Sequence, residues 1–83
     1  MTTAAIIVTY QAGPEIVECL RAVLAQVDRL HIIDNGSPDA LAGLREFAQA
    51  APEKIQLTVN AENIGLAAAQ NIGIRQALRD RTQ

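Results

Sequence analysis

Strand-type and helix-type segments alternate three times along this chain, and this alternation limits the available folds more than any other feature. Residues 4–10 form a continuous run of β-branched and other apolar residues, which is typical of a strand covered on both faces. Residues 30–34 and 54–59 are two further strand-type segments. Chains that alternate strand and helix in this way build parallel sheets with right-handed crossovers. We therefore predict an α/β fold, a three-layer α/β/α arrangement around a short parallel sheet.

Apolar residues at helical spacing predict three helices, at residues 14–27, 38–51 and 66–79. Ser37 is expected to cap the second helix, because a proline follows it at the first helical position. Cys19 flanks the apolar stripe of the first helix and is predicted to be a small buried side chain.

Length and composition exclude several classes of protein. The 83 residues suffice for one small domain, so we predict a single domain over residues 1–83. A net charge of −2 offers no basic surface for nucleic acid, and two aromatic residues cannot build a base-stacking platform. The longest apolar run, residues 4–8, is far shorter than the ~20 residues of a membrane helix. The single cysteine fits a reducing, cytoplasmic location.

The turn after the first strand excludes three common phosphate sites. Residues 9–15 contain one glycine, whereas a dinucleotide-binding fingerprint needs a glycine-rich turn there. The same turn lacks the lysine of a P-loop. A phospho-acceptor receiver domain would have carboxylates where Thr9 and Tyr10 stand.

Polar residues follow each predicted strand, at residues 9–11, 34–37 and 60–65. The carboxyl ends of parallel strands meet at one edge of a sheet, where ligands of α/β proteins bind. These three segments are therefore the candidate site. Taken alone, residues 34–37 also fit a tight turn before a capped helix, and Tyr10 also fits a core aromatic residue.

Three motifs with ordered spacing carry a resemblance to a known family: VTYQ at residues 8–11, IDNGS at 33–37 and NIGLAAAQNIGI at 63–74. Together they resemble the opening of the family 2 glycosyltransferases, over residues 4–78. The resemblance implies the N-terminal part of the Rossmann-like GT-A fold, with strand order 3-2-1, and a nucleotide-diphospho-sugar ligand. The third motif is most similar to that of rhamnosyltransferases, which use dTDP-rhamnose, and a UDP-sugar is the other expected donor.

The resemblance also implies roles for matching residues. Thr9 and Tyr10 would line the nucleobase pocket, and Asp34 would accept a hydrogen bond from the base. An ionised carboxylate only accepts, so Asp34 would favour uracil or thymine, which have an N3–H, over cytosine. Residues beside the ribose and phosphates would include Asn63, Gly65 and Asn71. The full set of expected nucleotide-binding residues is Thr9, Tyr10, Asp34, Asn35, Asn63, Gly65 and Asn71.

The chain departs from the family pattern in two respects. Gln70 stands where many members have an arginine. The second departure concerns the Asp-x-Asp motif that holds the divalent metal in the family. This motif is expected after a fourth strand, so we expect the motif, the acceptor half and its catalytic base to be missing from this chain. We therefore expect this chain to be a truncated half-domain with no catalytic residue, and Mg²⁺ or Mn²⁺ to bind only in a full-length enzyme.

Two further expectations concern packing and partners. His31 lies within an apolar strand and is predicted to be a packed histidine, whereas Asp80 between arginines indicates a solvated helix end. With a fourth strand absent, order 3-2-1 leaves the apolar first strand at an edge, which invites pairing with another chain. The alternative function is therefore a non-catalytic βα interaction module that forms a homodimer through its first strand.

Overall fold

The predicted alternation of three strands and three helices is confirmed by the computed structural model, which describes residues 3–81. In chain order the elements are β1 (Ala4–Thr9), α1 (Ile16–Leu24), β2 (Arg29–Asp34), α2 (Leu41–Ala50), β3 (Ile55–Val59) and α3 (Leu66–Arg81).

The three strands form one parallel sheet in the order β1-β2-β3, which is the order the resemblance implied. In register, Ile6 lies beside His31, and Ile32 lies beside Leu57. The central strand β2 is buried on both faces, and its residues from Leu30 to Asp34 are all buried. A parallel sheet brings the three strand-to-helix loops to one edge, as expected.

Helices cover both faces of the sheet, which confirms the three-layer prediction. On one face, α1 and α2 enclose the main core with β2 and β3; its buried residues are Leu20, Leu30, Ile32, Ala40, Leu44, Phe47 and Ile55. On the other face, α3 packs on β1 and β2. No helix within residues 3–81 has both the length and the apolar composition needed to cross a membrane.

Close approach between α3 and β1 depends on a glycine. A Cβ atom added to Gly73 would meet the side chain of Ile6, mainly its Cγ2 atom. Gly73 and Ala69 are both buried against the sheet, so small side chains set the distance between helix and sheet. Gln76, one turn further along α3, donates to Thr58 Oγ1 at 2.8 Å, and its Oε1 lies 3.1 Å from His31 Nδ1.

Two helix predictions were wrong at their ends. The second helix begins at Leu41 rather than at residue 38, and Ala40 is its N-cap, without a side-chain cap. Ser37 does not cap this helix, because its hydroxyl accepts a hydrogen bond from Ala12 N. The first helix covers Ile16–Leu24, since the chain turns after Leu24 to enter β2.

Two side-chain predictions were also wrong, and one was confirmed. Cys19 is exposed, because the next residue, Leu20, takes the inward position on α1. Asp80 is not merely solvated: its Oδ2 lies 3.1 Å from an Arg29 guanidinium nitrogen and 3.2 Å from His31 Nε2. His31 is packed as predicted, with no exposed surface.

Candidate functional site

The ends of β1 and β2 are joined by a buried hydrogen bond between side chains. Thr9 and Asp34 are register partners at the last position of each strand. The Thr9 hydroxyl donates to Asp34 Oδ1 at 2.7 Å, and Asn35 N donates to the Thr9 carbonyl at 2.8 Å. The two residues that end the strands therefore hold each other in place.

The Asp34 carboxylate lies almost wholly inside the protein, with 1% of the residue exposed. Its second oxygen, Oδ2, accepts a hydrogen bond from Ser37 N at 3.2 Å. The carboxylate thus accepts one protein hydrogen bond on each oxygen. A carboxylate has about four acceptor positions, so about two remain for a further donor.

Asn35 joins the second loop to the third. Its Oδ1 accepts from Asn60 Nδ2 at 2.8 Å, and its Nδ2 donates to the Gly65 carbonyl at 3.2 Å. Asn60 N also donates to the Asp34 carbonyl at 2.9 Å, which continues the β2–β3 pairing into the loop. Asn35 is itself buried, so its amide holds these two loops together from inside.

The first two loops are joined by their backbones. Gln11 N donates to the Gly36 carbonyl at 2.6 Å, and Ala12 N donates to Ser37 Oγ at 3.0 Å. Gln11 has a φ of 51° and Gly36 a φ of 132°; the latter lies in a region that side-chain-bearing residues rarely adopt. The Tyr10 ring lies next to Gly36 and is 52% exposed. Tyr10 is therefore a surface aromatic residue and not a core one.

The third loop ends at the N-terminus of α3. Asn63 Oδ1 accepts from Gly65 N at 2.8 Å, and Gly65 turns the chain with a φ of 87°. The Gly65 carbonyl accepts from Ala69 N at 3.2 Å and so belongs to the first turn of the helix. Asn63 and Gly65 are exposed, and the N–H groups of a first helical turn favour anions.

Asn71 is the predicted site residue that the structure does not join to the others. It is exposed on α3, in the second turn, and Ala69 and Gly73 occupy the sheet-facing positions on either side. Within residues 3–81, its side chain takes no part in the hydrogen bonds that connect the three loops. The other six predicted residues lie at the carboxyl edge of the sheet.

The roles of two residues of this edge were not predicted, although both lie in the candidate segments at residues 34–37 and 60–65. Ser37 was interpreted as a helix cap, but it links the first loop to the second. Asn60 was placed in a loop without a role, but it hydrogen-bonds Asn35. The signal that could have identified Asn60 is its position, because it is the first residue after a parallel strand, as Asn35 is.

The main groove between the helices and the acidic side chains add nothing to this edge. A groove of about 390 Å³ between α1 and α2, lined by Val17, Leu24 and Phe47 among others, lies away from the carboxyl edge. The part of the chain from residue 3 to residue 81 has no group of three or more His, Cys, Asp or Glu side chains that could hold a metal.

Comparison with known proteins gave one match. The model of the family described as glycosyl transferase family 2 matches residues 4–81, which is nearly the whole chain. The searches of curated proteins and of solved structures found no match.

Proposed function

This chain belongs to glycosyl transferase family 2, and we propose that it recognises the nucleotide part of a nucleotide-diphospho-sugar donor. The observation that carries the proposal is the carboxyl edge of the sheet, where Thr9, Asp34 and Asn35 join three loops through buried hydrogen bonds. Ligands of open α/β sheets bind beyond this edge. A rigid, hydrogen-bonded edge costs little conformational entropy when it binds a ligand.

The nucleobase is proposed to lie against the first two loops. The exposed Tyr10 ring offers an aromatic surface on which a base can stack. The acceptor positions that Thr9 and Ser37 leave open on Asp34 suit the N3–H of uracil or thymine. Cytosine has a lone pair at N3. Its N3 and the Asp34 carboxylate would both be hydrogen-bond acceptors, so no hydrogen bond could form between them.

The diphosphate is proposed to lie against the third loop and the start of α3. Asn63 and Gly65 shape this turn, and the first-turn N–H groups and helix dipole favour a negative charge. Asn71 lies on the same helix and is proposed to contact the same end of the ligand. On the motif at residues 63–74, we propose dTDP-rhamnose as the donor, with UDP-sugars as the alternative.

We propose that complete sugar transfer needs residues beyond those that bind the nucleobase and the diphosphate. The sequence contains no Asp-x-Asp motif, which in the family holds Mg²⁺ or Mn²⁺. We propose that the metal, the catalytic base and the acceptor site belong to further parts of a full-length cytoplasmic enzyme of polysaccharide biosynthesis. Metal-dependent sugar transfer by the pure 83-residue chain would contradict this proposal.

Titration of amide chemical shifts with UDP, dTDP and CDP tests the nucleotide site. We expect UDP and dTDP to bind more tightly than CDP, with the largest shifts around Thr9 and Asp34. Asp34→Asn introduces an N–H donor and should reduce the preference for UDP and dTDP over CDP. Asp39→Asn is the matched control, because Asp39 is exposed in the same loop.

Two results would contradict the nucleotide site. One is equal binding of all three nucleotides by the native chain, and the other is a set of shifts remote from the three loops. Asp34→Asn also tests the proposed Asp34 contact separately, since the native preference would survive this substitution if Asp34 only held Thr9 and Ser37 in position.

A second candidate function is pairing with another polypeptide, and the observation that favours it is the open edge of β1. Within residues 3–81, β1 pairs with β2 alone. Its sequence from Ala4 to Thr9 has no charge and no proline, the usual protections of an edge strand. We propose that this edge forms a homodimer.

A further inference from the structure

Asn35 has a buried amide between the second and third loops, and its neighbours fix the orientation of this amide. The Gly65 carbonyl, 3.2 Å from Asn35 Nδ2, can only accept a hydrogen bond, so the amide nitrogen must face it. Asn35 Oδ1 is then directed at Asn60, whose Nδ2 donates at 2.8 Å. The two ends of one side chain therefore contact the beginning and the end of the third loop.

The backbone of Asn35 anchors this amide to the sheet. Asn35 N donates to the Thr9 carbonyl at 2.8 Å, directly after the last register pair of β1 and β2. Only 3% of Asn35 is exposed, so almost none of its surface is left for direct contact with a ligand. Its effect on a ligand must therefore pass through the groups that it holds.

The group that Asn35 holds at the end of the third loop is the first carbonyl of α3. Gly65 O accepts from Asn35 Nδ2 and from Ala69 N, both at 3.2 Å, and the second of these is the first hydrogen bond of the helix. A residue whose carbonyl accepts this bond is the N-cap, which precedes the free N–H groups of the first turn. Asn35 therefore fixes the start of α3 relative to the ends of β1 and β2.

The segment around this N-cap has little packing of its own. Residues 61–68 are all exposed, and Ala69 is the first buried residue of α3. Within residues 3–81, the bond from Asn35 to Gly65 is the one side-chain hydrogen bond that ties this exposed segment to another loop. Exposed segments with few buried contacts open easily, so the position of this segment depends on that bond.

We infer that Asn35 is a positioning residue, which places the start of α3 for the diphosphate of the ligand. This inference rests on the first proposed function, in which the base lies against the first two loops and the diphosphate against the third loop and α3. Asn35 directly follows Asp34, so one short segment both reads the base and places the turn that receives the diphosphate. The ligand whose affinity depends on Asn35 is therefore a nucleoside diphosphate and not a nucleoside.

The expected effect follows from the cost of ordering a loop on binding. With the Asn35 amide in place, the third loop is ordered before the ligand arrives. Without it, binding of the diphosphate must also order this loop, and that cost lowers the affinity. The first two loops are joined by other groups, Gln11 N and Ser37 Oγ, so the contacts of the base should persist.

Titrations of amide chemical shifts with uridine and with UDP separate the two parts of the ligand. The ratio of the UDP affinity to the uridine affinity measures what the diphosphate adds. Asn35→Ala should lower this ratio by about fivefold or more, while the uridine affinity stays within about twofold of the native value. The substitution changes no charge, so it leaves the net electrostatic attraction of the diphosphate unchanged.

Ser37→Ala is the matched control. Ser37 is also a buried polar residue, but its hydroxyl joins the first loop to the second. This control should lower the affinities for uridine and UDP by the same factor, so their ratio should not change. If Asn35→Ala does not fold, Asn60→Ala takes its place, because it removes the donor to Asn35 Oδ1 and should lower the ratio by about twofold or more.

A lower ratio in Asn35→Ala, with an unchanged ratio in Ser37→Ala, supports the inference. An unchanged ratio in a folded Asn35→Ala chain overturns it and leaves the proposed nucleotide site in place. Equal losses of uridine and UDP affinity also overturn it, because Asn35 would then act on the base. A native chain that binds uridine as tightly as UDP contradicts the proposed diphosphate site itself.

Discussion

Asp34 shows how one side chain can organise a binding edge without being exposed. A buried carboxylate is costly unless donors satisfy it, and here Thr9 Oγ1 and Ser37 N supply them. These donors come from the first and second loops, so satisfying the charge also fixes the loops. Stability and site geometry are therefore linked at this residue.

Thr9→Val tests that link at the residue scale. The substitution keeps the shape of Thr9 and removes the donor to Asp34 Oδ1. We expect the free energy of unfolding to fall by about 1–3 kcal/mol, because a buried acceptor loses its partner. Thr3→Val is the control, since Thr3 is exposed, and it should change the free energy by less than about 0.5 kcal/mol. Urea unfolding of both variants measures the difference, and equal values would contradict the role given to Thr9.

Gln76 resembles Asp34 in forming buried side-chain hydrogen bonds, but it does so on the opposite face of the sheet. Its amide contacts both His31 and Thr58, and the residue is 9% exposed. Gln76→Met preserves volume and leaves both partners without this amide, so we expect a loss of about 1–3 kcal/mol. Gln49→Met, on the exposed side of α2, should be nearly neutral. Faster amide exchange throughout α3 would accompany the loss if Gln76 holds the helix to the sheet.

At the scale of elements, the position of α3 follows from small residues as much as from polar contacts. α3 has little segregation of apolar and polar residues, because part of its apolar surface faces away from the sheet. Its inward stripe of Ala69 and Gly73 lets the helix approach closely, and Gly65 then brings its N-terminus to the carboxyl edge.

A pair of glycine substitutions tests this approach. Gly73→Ala adds a methyl group where Ile6 already lies, so we expect a loss of about 1–3 kcal/mol despite the better helix propensity of alanine. Gly43→Ala on α2 is the matched control, because its added Cβ would lie 3.4 Å from Val17 Cγ2. There the propensity gain should dominate, by up to about 1 kcal/mol. Thermal unfolding should move in opposite directions for the two variants, and a stabilising Gly73→Ala would disprove the close approach.

At the scale of the whole molecule, part of the surface of α3 and both edges of the sheet, at β1 and at β3, are uncovered within residues 3–81. Within those residues, β2 is buried and pairs along both of its edges, whereas β1 and β3 each pair with β2 alone. Binding that occurs only in the folded state stabilises it by mass action. Self-association should accordingly make stability depend on concentration.

Each tenfold rise in protein concentration should add about 1.4 kcal/mol of stability per mole of dimer. If the β1 edge forms the proposed homodimer, the Tm of the native chain should rise with concentration. Differential scanning calorimetry at low and high micromolar concentration measures this shift in Tm. A Tm of the native chain that is independent of concentration would exclude a dimer linked to folding.

The spacing of apolar residues and the positions of turn residues in the sequence determined the helices and strands and their order along the chain. The β-branched run of β1 can be satisfied only by a strand with both faces covered, and the strand–helix alternation required a parallel sheet. The order of the strands followed from the resemblance of the three motifs to a known family, whereas the three-layer fold and the edge that carries the polar loops were predictable from the sequence pattern. These properties depend on local pattern and chain connectivity, which the sequence contains directly.

The tertiary structure alone decided which polar atoms meet. The same hydroxyl of Ser37 can cap a helix or accept from Ala12, and only the approach of the first loop selects the second partner. Likewise, Asp80 at a helix end finds Arg29 and His31 only because α3 returns along β2. Such contacts join residues 25 to 51 positions apart, so they follow from the packing angle and depth of helices on the sheet, which no local pattern specifies.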